Sequence, residues 1–401
     1  MTIVFREKSH EIPLDHDEPA GRLVVHVVRQ FYPNRGGLED VVMNLGLAMQ
    51  RRGFRVRVVT LDRLFTEPDR LLPAHEIRDG IEIVRIPWRG STRYPVALDV
   101  FRHLADADLI HVHAIDFFFD ALALGRFLHR KPMVATTHGG FFHTARHAFV
   151  KKVWFQTLTR MSARAYKVIV GCSRSDTALF SSIAPNRTVL IENGADTAKF
   201  AGSSSAVPVK RIVTIGRFSV NKRIDRLLDA LKVLVAGDGD WRLEIVGVPG
   251  GLTAADLEGM IAARGLRRQV RIHCDLENAA IAGLLGECSL FASASEYEGF
   301  GLVAVEAMSA GLVPVLNTNE AYRLLGERHS RLVLADFASP EQAARAITQA
   351  YDALCADDSL RPGLVADAQH YSWNSVADRY QAVYEEVAGA APAVAAGRAR
   401  P

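Results

Sequence analysis

The sequence has few cysteines and no long apolar run. Its four cysteines, Cys172, Cys274, Cys288 and Cys355, are scattered, with no C-x-x-C pair and no neighbouring histidine cluster. This pattern excludes a disulfide framework, so we expect reduced, mostly buried thiols. No apolar segment approaches the roughly 20 residues of a membrane span, and the first twenty residues mix charges, His and Pro, unlike a signal peptide. We therefore expect a cytoplasmic protein.

Several catalytic signatures are also missing. The chain contains no G-x-G-x-x-G, so a dinucleotide-binding interpretation lacks its fingerprint. Asp106-Ala-Asp108 and Asp238-Gly-Asp240 resemble the metal-binding Asp-x-Asp of some sugar transferases, but both precede their strands and lie at the wrong edge of a sheet. We interpret them as turns, and we predict no catalytic metal, no cofactor and no Ser-His-Asp or Cys-His nucleophile.

Length and composition are those of a globular protein with two or three domains. The chain has 401 residues, of which 49% are hydrophobic and 23% charged. The net charge of +3 is uneven, because residues 1–205 hold 28 Lys+Arg against 21 Asp+Glu and the remainder 20 against 24. The first half is therefore the side expected to meet an acidic partner.

Strand and helix patterns alternate in two blocks. Apolar strands at 23–28, 55–61, 109–113 and 133–137, with a hairpin at Asp79-Gly80, form the first block, and a second begins at 211–215. Such alternation predicts an α/β fold with two Rossmann-like doubly wound domains facing across a cleft. The predicted organisation is a disordered extension at 1–21, a first domain at 22–202, a linker at 203–209, a second domain at 210–371, a last helix at 372–388 and a disordered tail at 389–401.

The most informative segment runs from Ser293 to Leu316. Gly299 and Gly301 close a loop that leads into a predicted helix at about Leu302–Ala310 and then a buried strand. A helix N-terminus favours an anion such as a diphosphate, and glycine lets a ligand approach the backbone closely. We therefore expect Gly299, Phe300, Gly301 and Leu302 to contact the phosphates and sugar of a nucleotide sugar.

Two carboxylates frame this turn. Glu298 and Glu306 are eight residues apart and can point toward one ligand, where a carboxylate suits the vicinal hydroxyls of a hexose or a ribose. A lone E-x7-E is usually an ordinary loop and helix with exposed glutamates. Here the Glu-Gly-Phe-Gly core, the small-residue helix and the following strand all agree with the binding interpretation.

Other candidate residues follow strands of both predicted sheets. Gly36 and Gly37 precede a helix and can admit a phosphate or sugar, although a bare Gly-Gly is a weak signal. His138 comes directly after its strand, where ligands of such sheets bind. Arg217 and Lys222 flank a strand-to-helix turn and can hold a leaving diphosphate.

The segment Val150–Val168 has the spacing of an amphipathic helix, with Val150, Val153, Trp154, Leu158, Met161 and Ala165 on one face. One interpretation is a surface helix packed on the sheet through those apolar residues. The other is that the adjoining basic surface, with His143, Arg146, Lys151 and Lys152, meets an anionic membrane or a lipid diphosphate.

The Ser293–Leu316 segment resembles the nucleotide-sugar signature of the retaining glycosyltransferases of family 4, which have the GT-B fold, and the resemblance spans about residues 22–388. It implies that Glu298 and Glu306 contact the donor hexose and ribose, that Arg217 and Lys222 bind the diphosphate, and that Gly36 and Gly37 line the cleft. It places His138 near the transferred sugar, so the implied catalytic residues are His138, Arg217, Lys222 and Glu298.

Further segments, among them Thr137-His-Gly-Gly-Phe-Phe-His-Thr and Gly216-Arg-Phe-Ser-Val-Asn-Lys, are similar to the α-mannosyltransferases of xanthan- and acetan-type exopolysaccharide assembly. These transfer mannose from GDP-mannose to cellobiosyl-diphosphopolyprenol. The resemblance implies a polyprenyl-diphosphate acceptor at the inner face of the cytoplasmic membrane, without nucleic acid. We expect the acceptor to contact Gly139, Gly140, Phe141, His143, Arg146, Lys151 and Lys152.

Three alternatives remain at this point. A family 4 enzyme could use UDP-glucose or UDP-glucuronate for another lipid-linked glycan. An epimerase or phosphorylase on the same fold would need a catalytic base or a phosphate site that the sequence does not display. A non-catalytic subunit that binds a sugar nucleotide or lipid carrier would be expected to lose site residues, whereas Glu298, Glu306, Arg217, Lys222 and His138 are all present.

Overall fold

The computed structural model describes residues 21–34, 36–139 and 152–389. These form two α/β domains, each built on its own sheet. The strands of the first sheet are β1 Leu23–Val27, β2 Arg55–Leu61, β3 His75–Arg78, β4 Ile81–Ile86, β5 Leu109–His113, β6 Met133–Thr136, β7 Val168–Gly171 and β8 Thr188–Leu190. Those of the second are β9 Arg211–Ile215, β10 Arg242–Gly247, β11 Val270–Cys274, β12 Leu290–Ser293, β13 Val313–Asn317 and β14 Val333–Ala335.

The first sheet has eight strands in the order β8-β7-β6-β5-β1-β2-β4-β3. The central strand β1 pairs in parallel with β2 and β5, and all five of its residues are buried, as its continuous apolar sequence predicts. β3 runs antiparallel to β4 through a two-residue turn at Asp79 and Gly80, with φ values of 50° and 79°. Asp-Gly suits this turn because both positions need positive φ, so the predicted hairpin is confirmed.

The second sheet has six strands in the order β11-β10-β9-β12-β13-β14, and its neighbouring strands pair in parallel. In both sheets the chain begins at a central strand and winds outward in both directions. The carboxyl ends of the parallel strands in one sheet lie at one edge, and the loops that follow them carry the candidate site residues.

Helices cover the sheets. Their bounds are α1 Gly37–Gln50, α2 Phe117–Leu124, α3 Arg126–His129, α4 Arg160–Ala163, α5 Arg174–Ser181, α6 Ile224–Gly237, α7 Ala254–Ala263, α8 Asn278–Leu285, α9 Leu302–Ala310, α10 Glu320–Arg328, α11 Pro340–Ala356, α12 Leu360–Ala368 and α13 Trp373–Ala388. Several begin at a side-chain cap, such as Asp116 for α2 and Asn319 for α10, whose oxygens accept from backbone N–H groups two and three residues on.

The last helix returns to the first domain. α13 packs against α1, and its residues Val376, Ala377, Tyr380 and Tyr384 belong to the core cluster under β1 and β2. Conversely, Ala195 and Phe200 lie in the core of the second domain, although they precede the linker predicted at 203–209. Within that segment Ser204 N–H donates to Ala310 O at 2.8 Å and Ser205 N–H to Cys288 O at 3.0 Å. The crossover is thus held against the second domain.

The predicted apolar face of the 150–168 segment is wrong for three of its six residues, and Val150 lies outside the described residues. Val153, Trp154 and Met161 are 47%, 40% and 49% exposed, and the buried residues are instead Phe155, Thr159, Ser162, Ala163 and Tyr166. A π-helical turn at Phe155–Thr159 inserts an extra residue and rotates the face that follows it, which accounts for the exposure of Met161. Val153 and Trp154 precede the turn and face solvent beside the exposed Lys152, whereas Leu158 and Ala165 are half-buried.

Two smaller points complete the fold. Cys172 and Cys288 are buried, whereas Cys274 and Cys355 are exposed, so the expectation of mostly buried thiols holds for half of them. No helix within residues 21–34, 36–139 and 152–389 combines the length and apolar character that crossing a membrane requires.

Candidate active site

The motif that the sequence singled out lies at the carboxyl end of β12, and its helix α9 has the predicted bounds Leu302–Ala310. Gly301 precedes the helix with a φ of 85°, and a Cβ there would lie 2.8 Å from Cε1 of Tyr322. Glycine is required at this position by both the left-handed backbone and the lack of space. The turn thus brings the backbone close to a buried tyrosine.

Glu298 is held by two partners. Its Oε1 lies 2.6 Å from Nζ of Lys222 and accepts a hydrogen bond of 3.1 Å from the hydroxyl of Tyr322, which is also 2.9 Å from Oγ of Ser293. Burial raises the pKa of Tyr322, so the phenol stays protonated and remains a donor. The structure therefore brings two predicted residues, Lys222 and Glu298, into one ion pair and adds Tyr322, which the sequence analysis did not identify.

Arg217 lies beside this pair. Arg217 and Lys222 line one cavity at the carboxyl end of β9, together with Ser293 and Ser295 from the end of β12. The aliphatic part of Arg217 rests against Gly250, where a Cβ would lie 2.0 Å from its Cγ, and the residue is exposed. Two cations thus border one cavity, and Lys222 also pairs with Glu298, an arrangement that can bind a diphosphate.

Glu306 points from α9 toward the crossover segment. Its Oε1 lies 3.8 Å from Nζ of Lys199, and burial, in part offset by Lys199, raises the pKa of Glu306, with Asp196 adding to the rise. A half-buried carboxylate beside one cation can accept two hydrogen bonds from a diol. Lys199 was not predicted, since a single lysine in a polar segment gives no local signal.

Phe300 contacts the connection between the domains. Its ring lies 5.6 Å from that of Tyr371, and Tyr371 and Phe300 line a cavity together with Ser173, Arg174 and Glu192 of the first domain. Gly299 has open space where a Cβ would project. The turn after Glu298 thus faces the gap between the two domains.

Two ion pairs span that gap. Arg174 and Glu327 are 3.0 Å apart, and Arg328 pairs with Glu192. Each pair joins a residue near the carboxyl edge of the first sheet to α10 of the second domain. These contacts fix the two candidate site regions on facing surfaces.

His138 lies at the carboxyl end of β6 and is half-buried. Its φ of 53° and that of 66° at Gly139 turn the chain sharply out of the strand. Nε2 of His138 is 2.9 Å from Nδ1 of His113, whose Nε2 is 2.8 Å from Nδ1 of His26. Burial lowers the pKa of His138 to about 4 and that of His26 to about 3, so both rings are neutral at pH 7.

His111 flanks this row of histidines. Its ring centroid lies 4.1 Å from that of His113, and its own nitrogens lie 2.7 Å from the Tyr384 hydroxyl and 2.8 Å from Oγ1 of Thr136. Ring nitrogens of His26, His111 and His113 come within 4.8 Å of one another, a spacing that could also hold a metal ion. None of these three histidines was predicted as a site residue, because they lie within strands that read as continuous apolar runs.

The remaining predicted residues come from the first part of the chain, before Val153. Gly36, extended at a φ of −165°, and Gly37 form the N-terminus of α1 at the same edge of the first sheet as His138. Lys152 is exposed. Five predicted acceptor residues, Gly140, Phe141, His143, Arg146 and Lys151, lie outside the described residues.

Both Asp-x-Asp segments have other partners. Asp106 pairs with Arg57 at 2.7 Å, Asp108 accepts from the N–H of Leu23 at 2.7 Å, and Asp238 pairs with Lys210. All these groups precede β5 or β10, at the amino edge of each sheet. Their carboxylates are therefore directed away from the candidate site.

Comparison with known proteins gives two matching family models that together cover most of the chain. Residues 35–199 match the model described as Glycosyltransferase Family 4, and residues 197–354 match Glycosyl transferases group 1. The junction of the two falls at the crossover near Ala195 and Phe200.

Curated relatives match over nearly the whole length. The GDP-mannose:cellobiosyl-diphosphopolyprenol α-mannosyltransferase of Komagataeibacter xylinus is 43% identical over 92% of this chain and 94% of its own. The protein of the same name from Xanthomonas campestris is 42% identical over 91% and 97%.

Solved structures show the same fold at low identity. A glycosyltransferase from Rickettsia africae has a TM-score of 0.69 at 17% identity, covering 92% of this chain and 99% of its own. Sucrose-phosphate synthase from Thermosynechococcus elongatus has a TM-score of 0.64 at 18% identity, covering 91% and 98%. The predicted GT-B fold is thereby confirmed, and with relatives above 40% identity along its length the chain belongs to glycosyltransferase family 4.

Proposed function

We propose that this protein transfers an α-mannosyl residue from GDP-mannose to cellobiosyl-diphosphopolyprenol, with retention at the anomeric carbon, in exopolysaccharide synthesis. The observation that carries the proposal is the 43% identity, over 92% of the chain, to a relative of that named activity. The arrangement of Lys222, Glu298 and Tyr322 beside Arg217 supports it, because it offers both a carboxylate for a hexose and cations for a diphosphate.

In this proposal the second domain holds the donor. Glu298 accepts hydrogen bonds from the mannose hydroxyls, the turn 299–302 contacts the phosphates, and Glu306 accepts from the ribose. Arg217 and Lys222 balance the charge that grows on the GDP diphosphate as it leaves. Lys222 is already paired with Glu298 in the structure, so binding of the diphosphate would share this cation between two anions.

The first domain supplies the acceptor side. The acceptor hydroxyl attacks from the face that the diphosphate leaves, and a diphosphate oxygen takes its proton. From the first domain, His138 lies near the transferred sugar and Gly36 and Gly37 contact the donor across the cleft, and closure of the domains excludes water. We propose that no metal takes part, since paired cations replace it at the diphosphate.

We further propose a peripheral site of action at the inner face of the cytoplasmic membrane. Val153 and Trp154 are exposed beside Lys152, and together they offer apolar insertion and positive charge at one surface. A polyprenyl-diphosphate carrier stays in the membrane, so its sugar must be met at the surface. The excess of cations in residues 1–205 has the sign that this meeting requires.

The experiment is turnover by the purified protein in EDTA. GDP-mannose, UDP-glucose and UDP-glucuronate are each offered with cellobiosyl-diphospholipid and with water alone. We expect transfer from GDP-mannose only when the lipid is present. Turnover of a UDP-sugar instead would refute the mannosyl donor, and activity that appears only after Mg²⁺ or Mn²⁺ is added would refute the metal-free mechanism.

A matched pair of variants tests the site. Glu298→Gln should abolish transfer, whereas Glu296→Gln should retain it, because Glu296 lies in the same loop but pairs with Arg223 and Arg226. Equal losses in the two variants would show that the loop, rather than the Glu298 carboxylate, is what matters. If the protein binds GDP tightly but turns over none of the three donors, a non-catalytic binding subunit would be favoured.

A further inference from the structure

Three imidazole rings form a single hydrogen-bonded row that ends at the cleft. Nδ1 of His26 lies 2.8 Å from Nε2 of His113, and Nδ1 of His113 lies 2.9 Å from Nε2 of His138. His26 and His113 are fully buried, whereas His138 is half-buried. The row therefore engages Nε2 of His138, and Nδ1 is the nitrogen of this half-buried ring that remains for another partner.

Proton counting allows two arrangements of this row. His26 and His113 are fully buried, and among the residues that the structure describes no carboxylate hydrogen-bonds to the row, so a charged ring would be an unpaired buried ion and each ring is taken as neutral with one N–H. If His113 is protonated on Nδ1, it donates to Nε2 of His138, so the proton of His138 must lie on its Nδ1. The bare Nε2 of His113 then accepts from His26, which must be protonated on Nδ1. If His113 is protonated on Nε2, the proton of His138 lies on Nε2 and that of His26 on its Nε2. Every ring changes tautomer together.

The buried end of the row decides between them. Nε2 of His26 is fully enclosed and has no hydrogen-bond partner among the residues that the structure describes. In the first arrangement this atom is a bare lone pair, and in the second it is an N–H without an acceptor. Orphaned buried N–H groups are rarer than acceptors that lack a donor. The first arrangement is favoured.

The neighbouring groups are already committed elsewhere. His111 packs against His113 with its ring tilted by 35°, but its nitrogens face Tyr384 and Thr136, and Oγ1 of Thr136 also lies 3.1 Å from the hydroxyl of Tyr380. These contacts close the face of the sheet above the row. They leave no group on α13 that would accept from His26.

We propose that His113 and His26 are positioning residues that hold His138 in its Nδ1–H tautomer, so that His138 donates a hydrogen bond to an oxygen of the bound sugar nucleotide and does not accept a proton. This inference rests on the proposed function for the identity of the ligand, but the tautomer itself does not depend on it. His138 then stabilises negative charge at the sugar or its diphosphate, as a fixed donor in the sense of an oxyanion hole.

The direct test is nitrogen NMR of the full-length protein labelled with ¹⁵N-histidine. Long-range ¹H–¹⁵N correlations report which nitrogen of each ring carries the proton, and the spectrum of His138→Gln identifies the His138 signals. We expect a protonated Nδ1 and a bare Nε2 at pH 7. A protonated Nε2 on His138 would overturn the proposal, as would stoichiometric zinc in the purified protein that shifts the His26 and His113 signals when chelated.

Turnover of three variants tests the positioning role. His113→Asn keeps a donor where Nδ1 stood, and His113→Leu removes it; His111→Leu is the matched control on the same strand. We expect His113→Leu to lower kcat by roughly 10- to 100-fold, somewhat less than deletion of a charge-stabilising donor, with KM within about twofold. His113→Asn should recover most of kcat, and His111→Leu should leave the His138 tautomer unchanged.

Two further measurements, GDP binding and mannosyl transfer, distinguish a misfolded variant from a loss of the positioning role. GDP binding tests whether the second domain is folded, and it should be retained in all three variants. A variant that no longer binds GDP is treated as unfolded and excluded. The tautomer of His138 in the wild-type protein then remains the test of the proposal. Wild-type kcat in His113→Leu with intact GDP binding would overturn the positioning role. Absence of mannosyl transfer in the wild type would refute the proposed function while leaving the tautomer result in place.

Discussion

Tyr322→Phe isolates the contribution of one hydroxyl to the donor site. The ring of Tyr322 is 1% exposed and lies under Gly301, so phenylalanine fills the same space and opens no cavity. What is lost is the donor 3.1 Å from Glu298 and 2.9 Å from Ser293. The variant therefore frees one side of the Glu298 carboxylate without disturbing its packing.

The size of the effect expected for Tyr322→Phe follows from the hydrogen bonds that Glu298 and Ser293 retain. Glu298 keeps Lys222 at 2.6 Å and Ser293 keeps Ser295 at 3.1 Å, so neither is left unpaired. The loss of stability should then be about 1 kcal/mol, or about 2–4 °C in the thermal midpoint. If the hydrogen bond to the charged carboxylate contributes about 1.5–3 kcal/mol to the transition state, kcat/KM should fall by about 10- to 150-fold.

The assay is mannosyl transfer to the cellobiosyl lipid, with GDP binding measured alongside. Tyr351→Phe is the matched control, since its ring packs 5.6 Å from Trp241 at the amino edge of the second sheet, opposite the site. GDP affinity should be unchanged in both variants, because Tyr322 acts on the sugar end. Wild-type kcat/KM in Tyr322→Phe would refute the idea that Glu298 must be oriented from this side.

Three further results are expected. Arg217→Ala should weaken GDP binding by about tenfold or more, as loss of a charge-assisted contact does; calorimetry showing unchanged affinity would remove Arg217 from the diphosphate site. Burial raises the pKa of Glu306, so its ionised form costs stability at pH 7. Glu306→Gln should therefore raise the thermal midpoint at pH 7, and this increase should become smaller as the pH falls through the raised pKa of Glu306. The same variant should weaken GDP binding. A lowered midpoint at pH 7 would show that the pairing of Glu306 with Lys199 outweighs the cost of burial. Acid should destabilise the wild type, because His26 and His138 have pKa values of about 3 and 4 when folded against 6.5 ordinarily. Below pH 6.5 the unfolded chain binds the additional protons, so the free energy of unfolding should fall by about 1.4 kcal/mol per pH unit for each, and a level midpoint from pH 7 to pH 5 would contradict this.

Much of the fold could be predicted from local sequence patterns. The buried run at Leu23–Val27, the Asp79-Gly80 hairpin and the helix Leu302–Ala310 all follow from residues adjacent in sequence, and all three are found. The segment after Lys151 could not be predicted this way. Its apolar spacing is helical, but the π turn at Phe155–Thr159 changes which residues face inward, and such a turn depends on packing against neighbouring elements.

The geometry of the candidate donor site could be predicted to the extent that its residues share one motif. Glu298, Gly301 and Glu306 are linked by spacing along a single loop and helix, and Lys222 follows a recognisable turn. Tyr322 could not be identified because it comes from the next helix, capped by Asn319, and nothing in its local sequence distinguishes it from a core tyrosine. Its position depends on the close packing of its ring against Gly301.

The histidine row could not be predicted from local sequence, because its three residues come from distant parts of the chain. His111 and His113 are two residues apart on β5 and therefore share a face of the sheet, but their partners are decided by strand order. Since β5 lies between β1 and β6, the register sets His26 opposite His111 and Thr136 opposite His113. Only this order aligns His26, from the start of the domain, with the strand end that presents His138. A shift of one residue between β1 and β5 would turn His26 to the other face and break the row, so the tautomer of His138 depends on a strand pairing that no local pattern specifies.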